Sequence, residues 1–166
     1  MEILGLFDKE CNYLNKTIER RENIHDENNV IPAGEYILVS IIYIKKNNKF
    51  LIQRTSEIKG HKLTSTGGHV ELHETPLTTI IRECEEEIGL KLEPSEIKVL
   101  KKIIVPKRPV IFCTYEVEKD VDIENLKLQK SEVESVVWLT KDEIYNLIDQ
   151  NEFTYSHSIL FKELYK

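Results

Sequence analysis

The stretch from Gly68 to Leu90, GHVELHETPLTTIIRECEEEIGL, decides how the rest of this chain is interpreted. Thr75 can cap a helix, Pro76 suits a first helical turn, and Gly89 can supply a left-handed stop. Between them, apolar residues recur at the spacing of an amphipathic helix: Leu77, Ile80, Ile81, Cys84 and Ile88. We therefore predict a helix over residues 76–88.

Three carboxylates of this predicted helix, Glu83, Glu86 and Glu87, share one narrow arc on the side away from the apolar stripe. At spacings i, i+3 and i+4 they repel one another, by about 0.2–0.5 kcal/mol per pair. Hard divalent cations such as Mg²⁺ prefer carboxylate oxygens, so the arc can form a metal site. The alternative is a solvated acidic face, which is what most Glu-rich helix surfaces are.

The residues before the helix predict a loop in which the backbone approaches closely and turns, Thr66-Gly67-Gly68-His69. Glu74 follows at the junction with the helix, where its carboxylate can stabilise the helix N-terminus or reach a metal. Both roles stay open. His69 and His73 lie four residues apart, a spacing that suggests zinc. Because carboxylates rather than thiols surround them, we interpret them as ordinary loop histidines.

The spacing of the whole stretch resembles the signature of the Nudix hydrolases, G-x5-E-x7-R-E-U-x-E-E-x-G-U, where U is a bulky apolar residue. Every position is filled, with Cys84 as a small group at the first U. This resemblance implies an α/β class, a Nudix-type α/β/α sandwich with a mixed central β-sheet. It also implies hydrolysis of a diphosphate linked to another group, commonly a nucleoside diphosphate, by a metal-activated water.

By the same resemblance, Glu83, Glu86 and Glu87 would hold Mg²⁺ (or Mn²⁺) and perform the catalysis, one of them or a loop carboxylate acting on the water. Arg82 would pair with a glutamate of the motif and keep the arrangement in place. The supporting positions of the motif are Gly68, Glu74, Arg82 and Gly89.

Outside the motif, Arg54 resembles an arginine that lies near substrate phosphates in relatives, although a surface cation at a strand end explains it equally well. Relatives often take a further base or ligand from the region before the strand that carries Trp138. The candidates there for substrate contact are Glu116, Glu132 and Glu134.

The resemblance extends from about Glu2 to Ile148 and points to a subgroup related to the isopentenyl-diphosphate isomerases. Those enzymes carry Cys-Gly-His where this chain has Gly67-Gly68-His69, and their motif is degraded whereas this one is intact. Isomerase chemistry is therefore disfavoured. The main alternative to a hydrolase is a non-catalytic nucleotide-sensing Nudix module, but such modules usually lose motif glutamates.

Length and composition fit one domain over residues 1–166, with residues 1–35 as an N-terminal extension packed on the core. A net charge of −6 argues against a nucleic acid polymer and leaves a small-molecule diphosphate as the expected partner. The longest apolar run, Tyr36–Ile44, is too short to cross a membrane. With no signal-peptide core at the start, we expect a cytoplasmic protein. The N-terminal segment could supply a homodimer contact.

The remaining pattern predicts a mixture of strands and helices. The predicted strands are Tyr36–Ile44, Lys49–Arg54, Ile97–Val105, Val110–Val117 and Val133–Leu139. Thr140 and Glu143 form a capping box for a helix over 141–149, and Ser156–Tyr165 is a second predicted helix. At the N-terminus we predict a strand near Glu2–Phe7, followed by turns and an irregular return toward Gly34.

Overall fold

The apolar run that begins at Ile37 becomes the central strand of a mixed sheet with helices on both faces, in a computed structural model that describes residues 2–21, 24 and 31–166. In chain order the strands are β1 Ile3–Phe7, β2 Tyr13–Glu19, β3 Ile37–Lys46, β4 Lys49–Thr55, β5 Leu63–Thr64, β6 Thr66–His69, β7 Lys98–Ile104, β8 Val110–Glu118 and β9 Val133–Thr140. The helices are α1 Pro76–Ile88, α2 Lys141–Asp149 and α3 Tyr155–Leu164. The predicted α/β sandwich is confirmed.

The sheet divides along the line between β3 and β4. These strands pair only beside their hairpin turn, where Lys45 lies opposite Phe50. Further along, β3 pairs with β6 on one side and in parallel with β8 on the other, whereas β4 pairs with β5 and β9. The two groups of strands therefore separate, and a cleft opens between them.

Strand alternation sends the side chains of β3 to two different cores. Ile42 and Ile44 pack with Ile80, Cys84 and Ile88 of α1. Ile41 and Tyr43 pack on the opposite face, in the cluster that also contains Ile144 of α2 and Phe161 of α3. Because β3 is buried on both faces, nearly all of its residues are apolar, as the sequence shows.

Helix α1 begins and ends where its sequence predicts. The Thr75 side chain accepts a hydrogen bond from the Thr78 backbone N–H, and the Thr78 hydroxyl accepts one from the Thr75 N–H in return. Gly89 ends the helix in the left-handed region, with φ of 70°. The caps of α2 and α3 are likewise a threonine before each helix, Thr140 and Thr154.

Two local predictions are wrong. Thr66–His69 is not a loop but strand β6, antiparallel to β3. At the N-terminus, Tyr13–Glu19 is not irregular but pairs with the predicted β1 as a two-stranded sheet. Of the predicted irregular return toward Gly34, residues 22, 23 and 25–30 lie outside the described residues.

The described residues contain no helix long and apolar enough to cross a membrane. Cys84 and Cys113 are buried in the α1 core, as their positions in apolar runs predict. Burial raises the pKa of both thiols to about 12, so neither is a nucleophile near neutral pH.

Candidate active site

Two glycines of β6 bring the backbone against both the central strand and helix α1. A Cβ on Gly67 would lie 2.3 Å from the Ser40 carbonyl oxygen of β3, and one on Gly68 would lie 2.4 Å from the Glu83 carboxyl carbon. Only glycine fits at such distances without a shift of the neighbour. The glycines therefore hold β6 and the α1 carboxylates in direct contact.

The three carboxylates of α1, predicted on one arc away from the apolar stripe, do not share one environment. The Glu87 residue is only 8% exposed. The side chain of Glu83 is 14% exposed and that of Glu86 is 49% exposed. Glu83 and Glu87 lie on the side of α1 toward β6, because the glycines let that strand approach the helix. Only Glu86 occupies a solvated face.

Burial perturbs the two inner carboxyl groups. It raises the pKa of Glu83 to about 7, an effect that the Glu86 charge reinforces and the Arg82 charge opposes. Burial, with the Glu83 charge added, raises the pKa of Glu87 to about 8, although hydrogen bonds from Gly67 and Gln53 oppose that rise. Glu83 and Glu87 thus lie where it is costly for both carboxyl groups to be ionised at once. Perturbed pKa values of this kind are common at functional sites.

Arg82 binds four carboxylates around the start of α1. Its Nε lies 2.7 Å from one Glu74 oxygen and its Nη2 lies 2.9 Å from the other, a two-pronged contact. Its Nη1 donates to Glu83 at 3.0 Å and to Glu86 at 3.2 Å, and Glu71 completes the set at 3.3 Å. Hydrogen bonding to Arg82 lowers the pKa of Glu74. Thr75, not Glu74, provides the helix cap.

Carboxylate oxygens beside a glycine backbone are the donors that Mg²⁺ and Mn²⁺ prefer, so the chemistry of Glu83, Glu86 and Glu87 fits such a cation. Glu87 is buried and Glu83 is partly buried, and Glu87 accepts hydrogen bonds from the Gln53 amide and the Gly67 backbone N–H. Within the described residues, no three His, Cys, Asp or Glu side chains already stand in a complete metal-binding arrangement.

The cleft has two halves that meet at Gly67 and Glu87. The acidic half encloses about 300 Å³, and its lining includes Glu83, Glu86, Glu87, Glu132 and Gln129. The apolar half encloses about 450 Å³, and its lining includes Val39, Ile41, Phe112, Ser65 and His157. Both halves are also lined by Arg20, Gly68 and His69. One extended molecule can therefore occupy both.

A family model described as the NUDIX domain matches residues 37–159, most of the chain. The chain belongs to the Nudix hydrolase family. Helix α1 and the strand before it carry the Nudix motif, and the cleft lies beside that motif.

Relatives of known name agree with this assignment. The chain is 28% identical over 113 residues to a MutT-like protein of Streptomyces ambofaciens, which covers 68% of this chain and 69% of that protein. It is 32% identical over 68 residues to the 8-oxo-dGTP diphosphatase of Escherichia coli, covering 40% of this chain and 51% of that enzyme. The match to the human mitochondrial NAD(P)H pyrophosphatase, 22% identical over 129 residues, covers 78% of this chain but only 36% of the human protein.

Solved structures show the same fold. The crystal structure of DR0079 from Deinococcus radiodurans superposes with a TM-score of 0.80 at 20% identity, covering 99% of this chain and 100% of that one. An Ap4A hydrolase from Caenorhabditis elegans superposes with a TM-score of 0.54 at 18% identity, over 75% of this chain and 93% of that one. The first match covers 99% of this chain, so the described N-terminal strands fall within it as well.

Of the four residues predicted outside the Nudix motif, only Glu132 lines the cleft, where its carboxylate lies 3.5 Å from Lys59. Arg54 points to the opposite face of β4, where it contacts the His61 carbonyl and Glu152, because strand alternation sends Gln53 to the cleft instead. Glu134 lies 2.7 Å from His61 outside the cleft.

Glu116 lies near the far end of β8, where it accepts a hydrogen bond from the Tyr165 hydroxyl at 2.6 Å. The predicted substrate contacts of Arg54, Glu116 and Glu134 therefore do not fit this cleft.

The sequence did not predict several of the residues that line the cleft, and three of them have contacts that matter for the site. Arg20 comes from the end of β2 and lines both halves, with its Nη1 2.8 Å from Glu2. Gln53 accepts from Thr66 and donates to Glu87. His157 lies in the first turn of α3. Strand alternation along KFLIQRT could have favoured Gln53 over Arg54, but no local signal marks Arg20 or His157 because the fold alone brings them to the cleft.

Proposed function

We propose that this Nudix domain is a Mg²⁺- or Mn²⁺-dependent hydrolase that cleaves the diphosphate linkage of a nucleoside diphosphate joined to another group. The observation that carries this is the pair of carboxyl groups formed by the buried Glu87 and the partly buried Glu83, held against a glycine strand at the junction of the two halves of the cleft. The names of its relatives, a diphosphatase and a pyrophosphatase among them, support the same reaction class.

Each residue of the acidic half has a distinct proposed task. Glu83, Glu86 and Glu87 would hold the cation, which when bound neutralises diphosphate oxygens and lowers the pKa of water. Once a bound cation has displaced its proton, Glu87, oriented by Gln53 and the Gly67 N–H, would accept a proton from the attacking water, and Glu132 is the loop carboxylate that could share this role. Arg82 is a positioning residue, since its contacts are to the carboxylates themselves.

The diphosphate also needs a cation from the protein. Arg20 takes the place that the sequence suggested for Arg54, because it lines both halves of the cleft and is 40% exposed at its side chain. A guanidinium can bind phosphate oxygens in a two-pronged manner. Among the described residues, its carboxylate contact is with Glu2, which leaves donors for such oxygens.

Isopentenyl-diphosphate isomerisation fits this cleft poorly. The isomerases carry a cysteine where this chain has Gly67, and a Cβ at that position would lie 2.3 Å from the Ser40 carbonyl oxygen. A non-catalytic sensing module is the remaining alternative, but every glutamate of the motif is present. A single-domain organisation over residues 1–166, a cytoplasmic location and a homodimer stay proposals, the last testable by light scattering.

The test is phosphate release from a panel of diphosphate compounds with Mg²⁺ and with Mn²⁺. The panel includes nucleoside triphosphates, ADP-ribose, dinucleoside polyphosphates, NADH and nucleotide sugars. We expect wild type to turn over at least one of them and Glu87→Gln to lose at least about 100-fold in kcat.

Glu85→Gln is the matched control, because Glu85 lies on the same helix but is 53% exposed and contacts Lys91. Its turnover should equal that of wild type. Binding of a panel member without turnover in any variant would favour the sensing module instead.

A further inference from the structure

Glu2 is a carboxylate of the acidic half that the Nudix motif does not supply and the proposed reaction does not use. It lies just before β1 and lines this half together with the motif glutamates. Burial raises the pKa of Glu83, and the Glu2 charge adds to that rise, so the two carboxyl groups are close enough to interact. Glu2 therefore adds a negative charge beside the place where a diphosphate should bind.

The backbone fixes Glu2 opposite Arg20 at one end of the β1–β2 sheet. Ile3 pairs with Glu19 in this sheet, and beyond that pair the Arg20 N–H donates to the Glu2 carbonyl oxygen at 3.1 Å. The Ile3 carbonyl oxygen also accepts a hydrogen bond from the Leu72 N–H at 2.8 Å, in the segment just before α1. This end of the sheet is thus attached to the segment that leads into the motif helix, which keeps Glu2 and Arg20 beside the acidic half.

The side chains of Glu2 and Arg20 form an ion pair that a ligand can displace. The Arg20 Nη1 donates to a Glu2 carboxylate oxygen at 2.8 Å. The Arg20 and Glu2 side chains are 40% and 33% exposed, and ion pairs at such exposure contribute little to the stability of a fold. Phosphate oxygens bind a guanidinium at least as well as a carboxylate does, so a diphosphate can take the place of Glu2 on Arg20.

The charge balance of the acidic half makes this displacement depend on a divalent cation. Among the described residues, five carboxylates and two arginines line this half: Glu2, Glu83, Glu86, Glu87 and Glu132, with Arg20 and Arg82. Arg82 is already bound by carboxylates of the motif. Because Glu2 offsets the charge of Arg20, a diphosphate that arrives alone meets an excess of negative charge. A divalent cation on the motif carboxylates would offset much of that excess.

We propose that Glu2 determines specificity for metal-bound over metal-free diphosphates, because it holds Arg20 as an internal counter-ion. Without a divalent cation, a Glu2 carboxylate displaced from Arg20 is left beside the like charge of Glu83. With a cation held by Glu83, the displaced Glu2 gains a second counter-charge, so the same displacement costs less. This inference rests on the proposed function for the identity of the ligand as a diphosphate. Glu2 acts through Arg20 and not on the reacting phosphorus.

Equilibrium binding of methylenediphosphonate tests this without turnover, because its P–C–P bridge is not hydrolysed. Calorimetric titrations with Mg²⁺ and with EDTA give two affinities for each variant, and their ratio measures the dependence on the cation. We expect the ratio to be at least about 10 for wild type. Glu2→Gln should strengthen binding about 3- to 5-fold in EDTA but less than about 2-fold with Mg²⁺, so the ratio falls.

Two further variants show whether Glu2 acts through Arg20. Arg20→Gln should weaken binding about 10-fold in both solutions, because it removes the guanidinium that binds phosphate oxygens. In the Arg20→Gln background, Glu2→Gln should gain less than about 2-fold in EDTA, because the cation that it would release is absent. Glu2→Asp, which keeps the charge, should keep most of the wild-type ratio.

Glu35→Gln is the matched control, because Glu35 lies 2.6 Å from Lys16 of β2 but outside the cleft, and its ratio should equal that of wild type. Three results would each overturn the proposal: no gain for Glu2→Gln in EDTA, an equal gain with Mg²⁺ and with EDTA, or an undiminished gain in the Arg20→Gln background. Because Glu2 and Arg20 are partly exposed, we expect all of these variants to fold.

These results separate from those on the hydrolase. Binding whose cation dependence is set by Glu2, without hydrolysis of any panel compound, would remove the proposed reaction and keep the role of Glu2. Hydrolysis that depends on Glu87, with a wild-type ratio in Glu2→Gln, would do the reverse. An analogue that fails to bind wild type even with Mg²⁺ would overturn both.

Discussion

The two halves of the cleft are assembled in opposite ways. The acidic half takes Arg82, Gly68 and three of its carboxylates from the single stretch 68–90, where local rules govern the structure, and Glu132 and Arg20 join it from elsewhere in the chain. The apolar half collects residues from β3, β8, the β5–β6 junction and α3, which are far apart in the chain. A chemical function encoded in one helix can therefore be recognised from sequence, whereas a surface that selects a ligand through distant residues cannot.

Substitution of the β6 glycines should give the largest change in stability and turnover, and it tests whether local sequence determines the acidic half of the cleft. In Gly67→Ala the new methyl group would meet the Ser40 carbonyl oxygen at 2.3 Å, so β6 must move from β3, and we expect a loss of about 3 kcal/mol in the free energy of unfolding. In Gly68→Ala the methyl group meets the Glu83 side chain, which can move more easily. That variant should lose about 1 kcal/mol but most of its turnover.

Urea denaturation and turnover assays on the two variants measure both quantities. Equal stability of Gly67→Ala and Gly68→Ala would show that the backbone contact between β6 and β3 is no tighter than the contact between β6 and the Glu83 side chain.

The apolar half predicts a pH dependence of stability that depends on His157. The pKa of the buried ring, about 4, lies below the value of about 6.5 for an unfolded chain, so the unfolded state binds the proton first as the pH falls. The neutral His157 ring therefore makes its full contribution to the free energy of unfolding above pH 6.5. This contribution falls by at most about 3 kcal/mol between pH 6.5 and pH 4.

Denaturant titrations of wild type and His157→Leu across this range test that dependence. The difference in the free energy of unfolding between the two proteins should change by that amount between pH 7 and pH 4. A constant difference would mean that the ring is solvated and accepts a proton freely in the folded state.

Substitution of Arg82, which connects the acidic half to Glu74 before α1, should lower stability and kcat by a smaller amount. Arg82→Lys keeps the charge but loses the two-pronged contact with Glu74, so we expect about 1.5 kcal/mol less stability and a lower kcat. Arg54→Lys, outside the cleft, should leave turnover unchanged. Thermal unfolding and steady-state kinetics on both variants provide the comparison, and a turnover loss in Arg54→Lys equal to that in Arg82→Lys would contradict it.

The sequence predicted the features that depend on neighbouring residues and missed those that depend on distant parts of the chain. Helix α1, its Thr75 cap and its Gly89 stop were predictable because capping and periodicity act within a few residues. The burial of Glu87 was not, because it results from the approach of β6, a strand of glycines with no strand pattern of its own. Periodicity placed Glu87 on an arc away from the apolar stripe but could not show what covers that arc, since a helical wheel contains no information about the neighbour of a helix.

The N-terminal region shows a second limit of sequence-based prediction, namely a strand whose sequence has no recognisable strand pattern. Tyr13–Glu19 is a mostly exposed strand with only Leu14 and Ile18 half-buried, so its sequence lacks the run of β-branched and aromatic residues that identified β3. Its pairing with β1 nonetheless carries Arg20 to the junction of the two halves. The family resemblance suggested Arg54 as the cation for the phosphates, with a surface cation at a strand end as an equal alternative, and alternation sends Arg54 to the face away from the cleft.

One measurement tests the central claim, that the acidic half directs water to a diphosphate, most directly. A panel substrate is incubated with the wild-type chain and Mg²⁺ in ¹⁸O-enriched water, and the products are analysed by ³¹P NMR. We predict cleavage of the diphosphate linkage, with one ¹⁸O in one product phosphate and no product from Glu87→Gln. An intact, unlabelled diphosphate throughout the panel, whether merely bound or isomerised in its attached group, would contradict the account.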